Sequence, residues 1–85
     1  MRLWAKVMRE DKILSQCVLE EDGRVVYSHF FDYLSDICTK LDVPTPVLLK
    51  QHVLQFAKFR HVKFIPRDFV DSTDFDKLWI ENISE

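Results

Sequence analysis

A chain of 85 residues is long enough for one domain and too short for two. Its 47% apolar and 13% aromatic content supplies the large side chains that so small a core needs, while one glycine and three prolines exclude a low-complexity chain. The net charge of −2 gives no general pull toward nucleic acid or anionic membrane, and two cysteines exclude a disulfide framework.

Residues 3–9 alternate, with Leu3, Ala5 and Val7 on one side and Trp4, Lys6 and Met8 on the other. Residues 13–20 again read as a strand, carrying Ile13, Cys17 and Leu19 on one side, and the polar link Glu10-Asp11-Lys12 predicts a hairpin. Glu21-Asp22-Gly23-Arg24 is a turn in which the single glycine takes a positive φ. The period then becomes helical: Phe30, Leu34, Ile37 and Leu41 share a face with Tyr33 and Cys38, and Ser28 is the expected N-cap.

Residues 41–46, with Pro44 and Pro46, break this helix. Thr45 is the expected N-cap of a second helix over residues 46–59, with Pro46 at its first position and Leu49, Val53 and Phe56 as the buried stripe. Leu48, His52 and Ala57 flank that stripe. Residues 62–65 read as a third strand stopped by Pro66. Residues 75–83 fit either a helix or a strand; strand is chosen, because a four-residue third strand needs a partner. The expectation is a single α+β domain over residues 1–85, in ββααββ order. Its sheet is mostly antiparallel and four-stranded, with both helices on one face.

Catalytic motifs are not found. His29, His52 and His61 belong to no Ser- or Cys-centred constellation, and one glycine cannot build a phosphate-cradling loop. A site around Asp68, Asp71 or His61 rests only on the density of ionisable groups. Cys17, His29, Cys38, His52 and His61 are too widely spaced for a zinc site, and Asp68, Asp71, Asp74 and Asp76 miss the spacing and glycine of a calcium loop. No catalytic residue, cofactor or metal is therefore expected.

Charge is unevenly placed. Lys58, Arg60, Lys63 and Arg67 cluster with His61 over residues 58–67, whereas residues 68–85 hold six acids and only Lys77 as a base. Ile37, Leu41, Val43 and Leu48 also have the apolar spacing of a helix-turn-helix, with Asp42 at the tight turn. Its second helix would present Lys50, Gln51, Gln55 and Lys58 to a groove, and Arg60, Lys63 and Arg67 to phosphates. Three observations count against that reading. Any two helices packed on a sheet share the apolar spacing, the chain is net acidic, and the following loop carries Asp68, Asp71 and Asp74. Phe59 and Phe64, which could serve as base-stacking platforms, are read instead as core residues.

Arg2-Leu3-Trp4-Ala5-Lys6-Val7 with Arg9-Glu10-Asp11-Lys12-Ile13, the middle segment from Asp36-Ile37-Cys38 to Pro46, and the closing Phe64, Asp68-Phe69-Val70-Asp71 and Asp74-Phe75-Asp76-Lys77-Leu78 form a pattern. It resembles a family of short uncharacterised proteins from Firmicutes. The resemblance implies a bacterial cytoplasmic protein, adds no site residue, and favours a strand for the last segment.

No run approaches the roughly 20 apolar residues of a membrane helix, and residues 1–6 lack the pattern of a secretory signal, so a cytoplasmic location is expected. The expected function is that of a small non-catalytic binding module. Its partner is another protein or a second copy of the chain, met through a sheet edge, with Trp4 or Trp79 as an exposed anchor. The alternative is a winged-helix-like nucleic-acid binder using residues 46–59 and the basic stretch 58–67.

Overall fold

Six main elements follow one another in the computed structural model, which describes residues 1–84. They are β1 (Arg2–Arg9), β2 (Lys12–Glu20), α1 (Phe30–Leu41), α2 (Lys50–Phe59), β3 (His61–Phe64) and β4 (Lys77–Asn82). Short 3-10 turns lie at Tyr27–His29 and Pro66–Asp68. The strands form one sheet in the order β2-β1-β4-β3, and every neighbouring pair is antiparallel. The expected α+β order and strand count are therefore present, and the ambiguous last segment is a central strand.

The alternation in β1 decides which face is inside. Leu3, Ala5 and Val7 are buried, together with Leu19 of β2, Val62 and Phe64 of β3, and Leu78 and Ile80 of β4. Against them pack Phe30, Tyr33, Leu34, Ile37 and Cys38 from α1 and Phe56 from α2. Phe30 and Phe56 join the two helices, their ring centroids 4.9 Å apart. Burying each such aliphatic or aromatic side chain is worth about 1.5–3 kcal/mol, so this single layer accounts for most of the stabilisation.

The hairpin turn is tighter than the sequence suggests. Arg9 pairs with Lys12, leaving only Glu10 and Asp11 in the loop, both at positive φ (52° and 63°). Two left-handed residues in succession are the mark of a type I′ turn, normally given to Asn or Gly. Here the conformation is held from outside, because the Glu10 N–H donates to Asp76 Oδ2 at 2.7 Å and Arg9 donates to the Asp74 carbonyl at 3.1 Å. A bulge follows. Val7 faces Ser15 but Met8 faces Ile13, so Leu14 is the extra residue. Ile13 is thereby moved off the Cys17 and Leu19 side and lies opposite Met8, 44% exposed, contrary to the expected alternation.

Both helix starts differ from expectation. Ser28 does not cap α1, since it lies inside the Tyr27–His29 turn, closed by the His29 N–H donating to the Val26 carbonyl at 2.9 Å. Residue 29, not 28, occupies the N-cap position. At the other end Asp42 takes the left-handed conformation (φ 55°, ψ 48°), and the Val43 N–H reaches back to the Cys38 carbonyl at 3.0 Å. This is the Schellman arrangement with Asp in the place usually held by Gly.

The second helix begins at Lys50, not at Pro46, and Thr45 does not cap it. The cause is tertiary: the Val47 N–H donates to the Asp68 carbonyl at 2.8 Å, tying this stretch to the turn after β3. Leu49 is consequently the N-cap residue, extended and 46% exposed, and its N–H donates to His52 Nδ1 at 3.0 Å. The buried stripe of α2 is His52 and Phe56 with Val53 partly covered, rather than Leu49, Val53 and Phe56.

Candidate binding surfaces

Both helices cover one side of the sheet, which leaves the other side open. Register fixes what stands on it. Across the strands run the rows Val18, Trp4, Glu81, His61 and then Gln16, Lys6, Trp79, Lys63, with Ile13, Met8 and Lys77 beyond. Trp4, Lys6, Met8, His61, Lys77 and Trp79 are half-buried, and Lys63 and Val18 are exposed.

These side chains form a ladder. Phe59, 55% exposed at the end of α2, stacks near His61 (6.3 Å, 29° between planes), and His61 stacks on Trp79 (4.4 Å, 19°). The Lys6 ammonium lies 4.0 Å from the centre of the Trp4 ring and 5.7 Å from that of Trp79. Lys77 approaches Trp79 at 5.8 Å, and Lys58 approaches Phe59 at 5.4 Å. Each indole N–H is satisfied within the chain, Trp4 Nε1 by Gln16 at 2.9 Å and Trp79 Nε1 by Glu81 at 3.1 Å. Among the described residues none of Lys6, Lys58, Lys63 and Lys77 is in an ion pair. Among the described residues, buried His61 Nδ1 has no hydrogen-bond partner.

The edge of β2 is a second surface. It spans nine residues at the end of the sheet, and Ile13, Leu14 and Val18 are 44%, 46% and 38% exposed.

The residues singled out for nucleic-acid contact do not all meet. Gln51, Gln55, Lys63 and Arg67 line one open groove of about 460 Å³ with His52, Phe59, Ile65 and Asp68. Lys50 and Lys58 lie outside it. Arg60 faces a different groove and donates to the carbonyls of Asn82 (3.3 Å) and Ser84 (2.5 Å). Phe64 is fully buried as expected, but Phe59 is not a core residue, because α2 ends there and Arg60 turns the chain at φ 66°. Lys6 and Lys77 belong to the open face although the sequence marks them only by their alternation with core residues.

The remaining candidates are scattered. His61 stands on the open face, Asp68 accepts from the Ile65 N–H at 2.9 Å beside His52, and Asp71 lies in the loop before β4. Among the described residues no three His, Cys, Asp or Glu side chains are grouped to hold a metal ion. Cys17 and Cys38 are unpaired. Burial pushes the Cys38 thiol up to about 11, against a smaller downward effect of its contact with Thr45, and burial also raises that of Cys17. No helix is long and apolar enough to cross a membrane among the described residues. Comparison with known proteins finds no matching family model, no matching curated protein and no matching solved structure.

Proposed function

We propose that the chain is a small non-catalytic binding module that works by protein–protein pairing along β2, with a second copy of itself as the partner. The supporting observation is the composition of that edge. An antiparallel pair of β2 strands centred on Gln16 sets Lys12 opposite Glu20 and exposed Leu14 opposite exposed Val18, each twice by symmetry. Opposite charges at the ends and apolar contacts inside them are what an isologous strand pair needs. A long, apolar edge left bare would invite aggregation. Glu20 already holds Arg2 at 3.0 Å, which leaves its second oxygen for Lys12 of the other copy.

Sedimentation equilibrium tests this. The wild-type chain is expected to be a dimer, and Leu14→Lys with Val18→Lys to be a monomer with an unchanged circular dichroism spectrum. A wild-type chain that stays monomeric at high protein concentration would overturn the reading. The reading needs neither cofactor nor catalytic residue. It suits a bacterial cytoplasm, where unpaired and buried thiols such as Cys38 stay reduced.

The winged-helix alternative draws support from the gathering of Gln51, Gln55, Lys63 and Arg67 in one groove. It is less favoured. Residues 42–49 separate α1 from α2, where a helix-turn-helix uses a turn of about three or four residues, and Asp68 shares the groove.

A further inference from the structure

The open face of the sheet presents a combination that the pairing of β2 edges does not use. Its aromatic side chains are interleaved with cations, Phe59, His61, Trp79, Lys6 and Trp4 in spatial order, with Lys58, Lys63 and Lys77 alongside. On the strands this face carries Arg2, Lys6, Lys63 and Lys77 against Glu81 and Glu20, the last already paired with Arg2 at 3.0 Å, and Lys58 of α2 adds a cation beside Phe59, on a chain whose net charge is −2. The positive charge is thus local to this face. A second copy laid face to face would meet the same four lysines, so like-charge repulsion disfavours that occupant.

The ligand that complements such a face is anionic and carries flat apolar groups. We infer that the open face binds single-stranded nucleic acid without strong sequence preference, phosphates meeting Lys6, Lys58, Lys63 and Lys77 and bases packing on the exposed parts of Trp4, Trp79 and Phe59. Stacking on aromatic rings tolerates any base, because every base has a π-face, and an open antiparallel sheet offers rings and cations on one plane. Both indole N–H groups are already bonded to Gln16 and Glu81, so a base that covers an indole strands no donor. Four strands spaced about 4.8 Å apart span about 14 Å, room for two or three nucleotides. A duplex hides its base faces and gains only the lysines. An acidic peptide supplies charge but leaves the rings unused.

The two tryptophans of the chain, Trp4 and Trp79, both lie on this face and report on it directly. Titration of the wild-type protein at low salt with short oligothymidylate or oligouridylate is expected to quench their fluorescence saturably. Affinity should fall steeply as salt rises. Lys6→Glu with Lys63→Glu should weaken binding roughly tenfold or more and flatten the salt dependence. Lys40→Glu, at an exposed position in the last turn of α1, changes net charge away from the face and should leave binding within about twofold. Each variant is expected to keep the wild-type circular dichroism spectrum, which separates lost binding from lost folding. Three results would overturn the inference: no quenching at the lowest salt, poly-glutamate binding as tightly as the oligonucleotides, or equal loss from the Lys40 and Lys6/Lys63 changes. A monomer by sedimentation that still quenches would sink the β2 pairing while leaving this inference standing.

Discussion

The imidazole of His52 joins three parts of the molecule. Its Nδ1 accepts the Leu49 N–H at 3.0 Å, its ring lies 4.7 Å from that of Phe64, and its Nε2 faces Asp68 Oδ1 at 3.7 Å. Because Nδ1 accepts, the ring proton belongs on Nε2, toward the carboxylate. A histidine at the third helical position thus does what Glu or Gln does in a capping box. His52→Ala should cost about 2–4 kcal/mol, combining a lost buried ring with an orphaned amide, and His52→Gln should recover part of it. Urea unfolding of the two variants measures the difference, and equal losses would show that the hydrogen bond contributes nothing. A sequence reading places His52 beside the buried stripe and no further, because its role depends on Asp68 and Phe64, which lie more than ten residues on.

At the scale of elements, what is local was legible and what is long-range was not. Alternation in residues 3–9 marks β1 and its buried side, and Asp42 shows in the sequence as a residue able to adopt the left-handed end of α1. There the aspartate has two disadvantages: a Cβ in a left-handed conformation and a negative charge at the negative end of the helix dipole. Asp42→Gly should therefore raise stability by about 0.5–1 kcal/mol, read as a higher urea midpoint with unchanged slope. The start of α2 could not be read, since Thr45-Pro46 is a good helix opening by local rules. That stretch instead bonds to a distant turn through Val47 and Asp68, and α2 opens where the Leu49 N–H meets His52 Nδ1. The bulge at Leu14 was equally hidden, because one extra residue in β2 has no signature of its own. The candidate surface was half visible. Lys58 and Lys63 stood out by charge density, and Trp4 and Lys6 by sharing a side of β1, but only the insertion of β4 between β1 and β3 sets Trp79 and Lys63 beside them.

For the molecule as a whole, the core between sheet and helices holds two thiols whose ionisation opposes folding, Cys38 within it and the less buried Cys17 at its margin, and Cys38 is the more strongly displaced. The Cys38 thiol, displaced by burial to about 11 from an ordinary 9.0, keeps its proton in the folded chain at a pH where the unfolded chain has lost it. The unfolded state then binds fewer protons, so stability is fully present below about pH 9 and declines as pH rises toward 11. Thermal melts across that window should show a falling midpoint, and Cys38→Ala should lessen the slope even though it lowers stability at neutral pH. An unchanged slope in the variant would assign the alkaline loss to other groups. At this scale, too, the two proposals combine. A two-fold axis normal to the sheet would keep both open faces of a β2-paired dimer on one side, doubling the length of strand it can hold.

The sheet order carries a consequence for synthesis. β1 is made first, yet its second neighbour, β4, is the last element of the series, and β3 has no partner until β4 arrives. At about 5–20 residues per second, the ribosome leaves β1 and its hairpin waiting several seconds with one apolar face and one backbone edge unsatisfied. The nascent chain should therefore be a client for holding chaperones until residues 77–82 emerge, and stalling before them should leave it sensitive to protease.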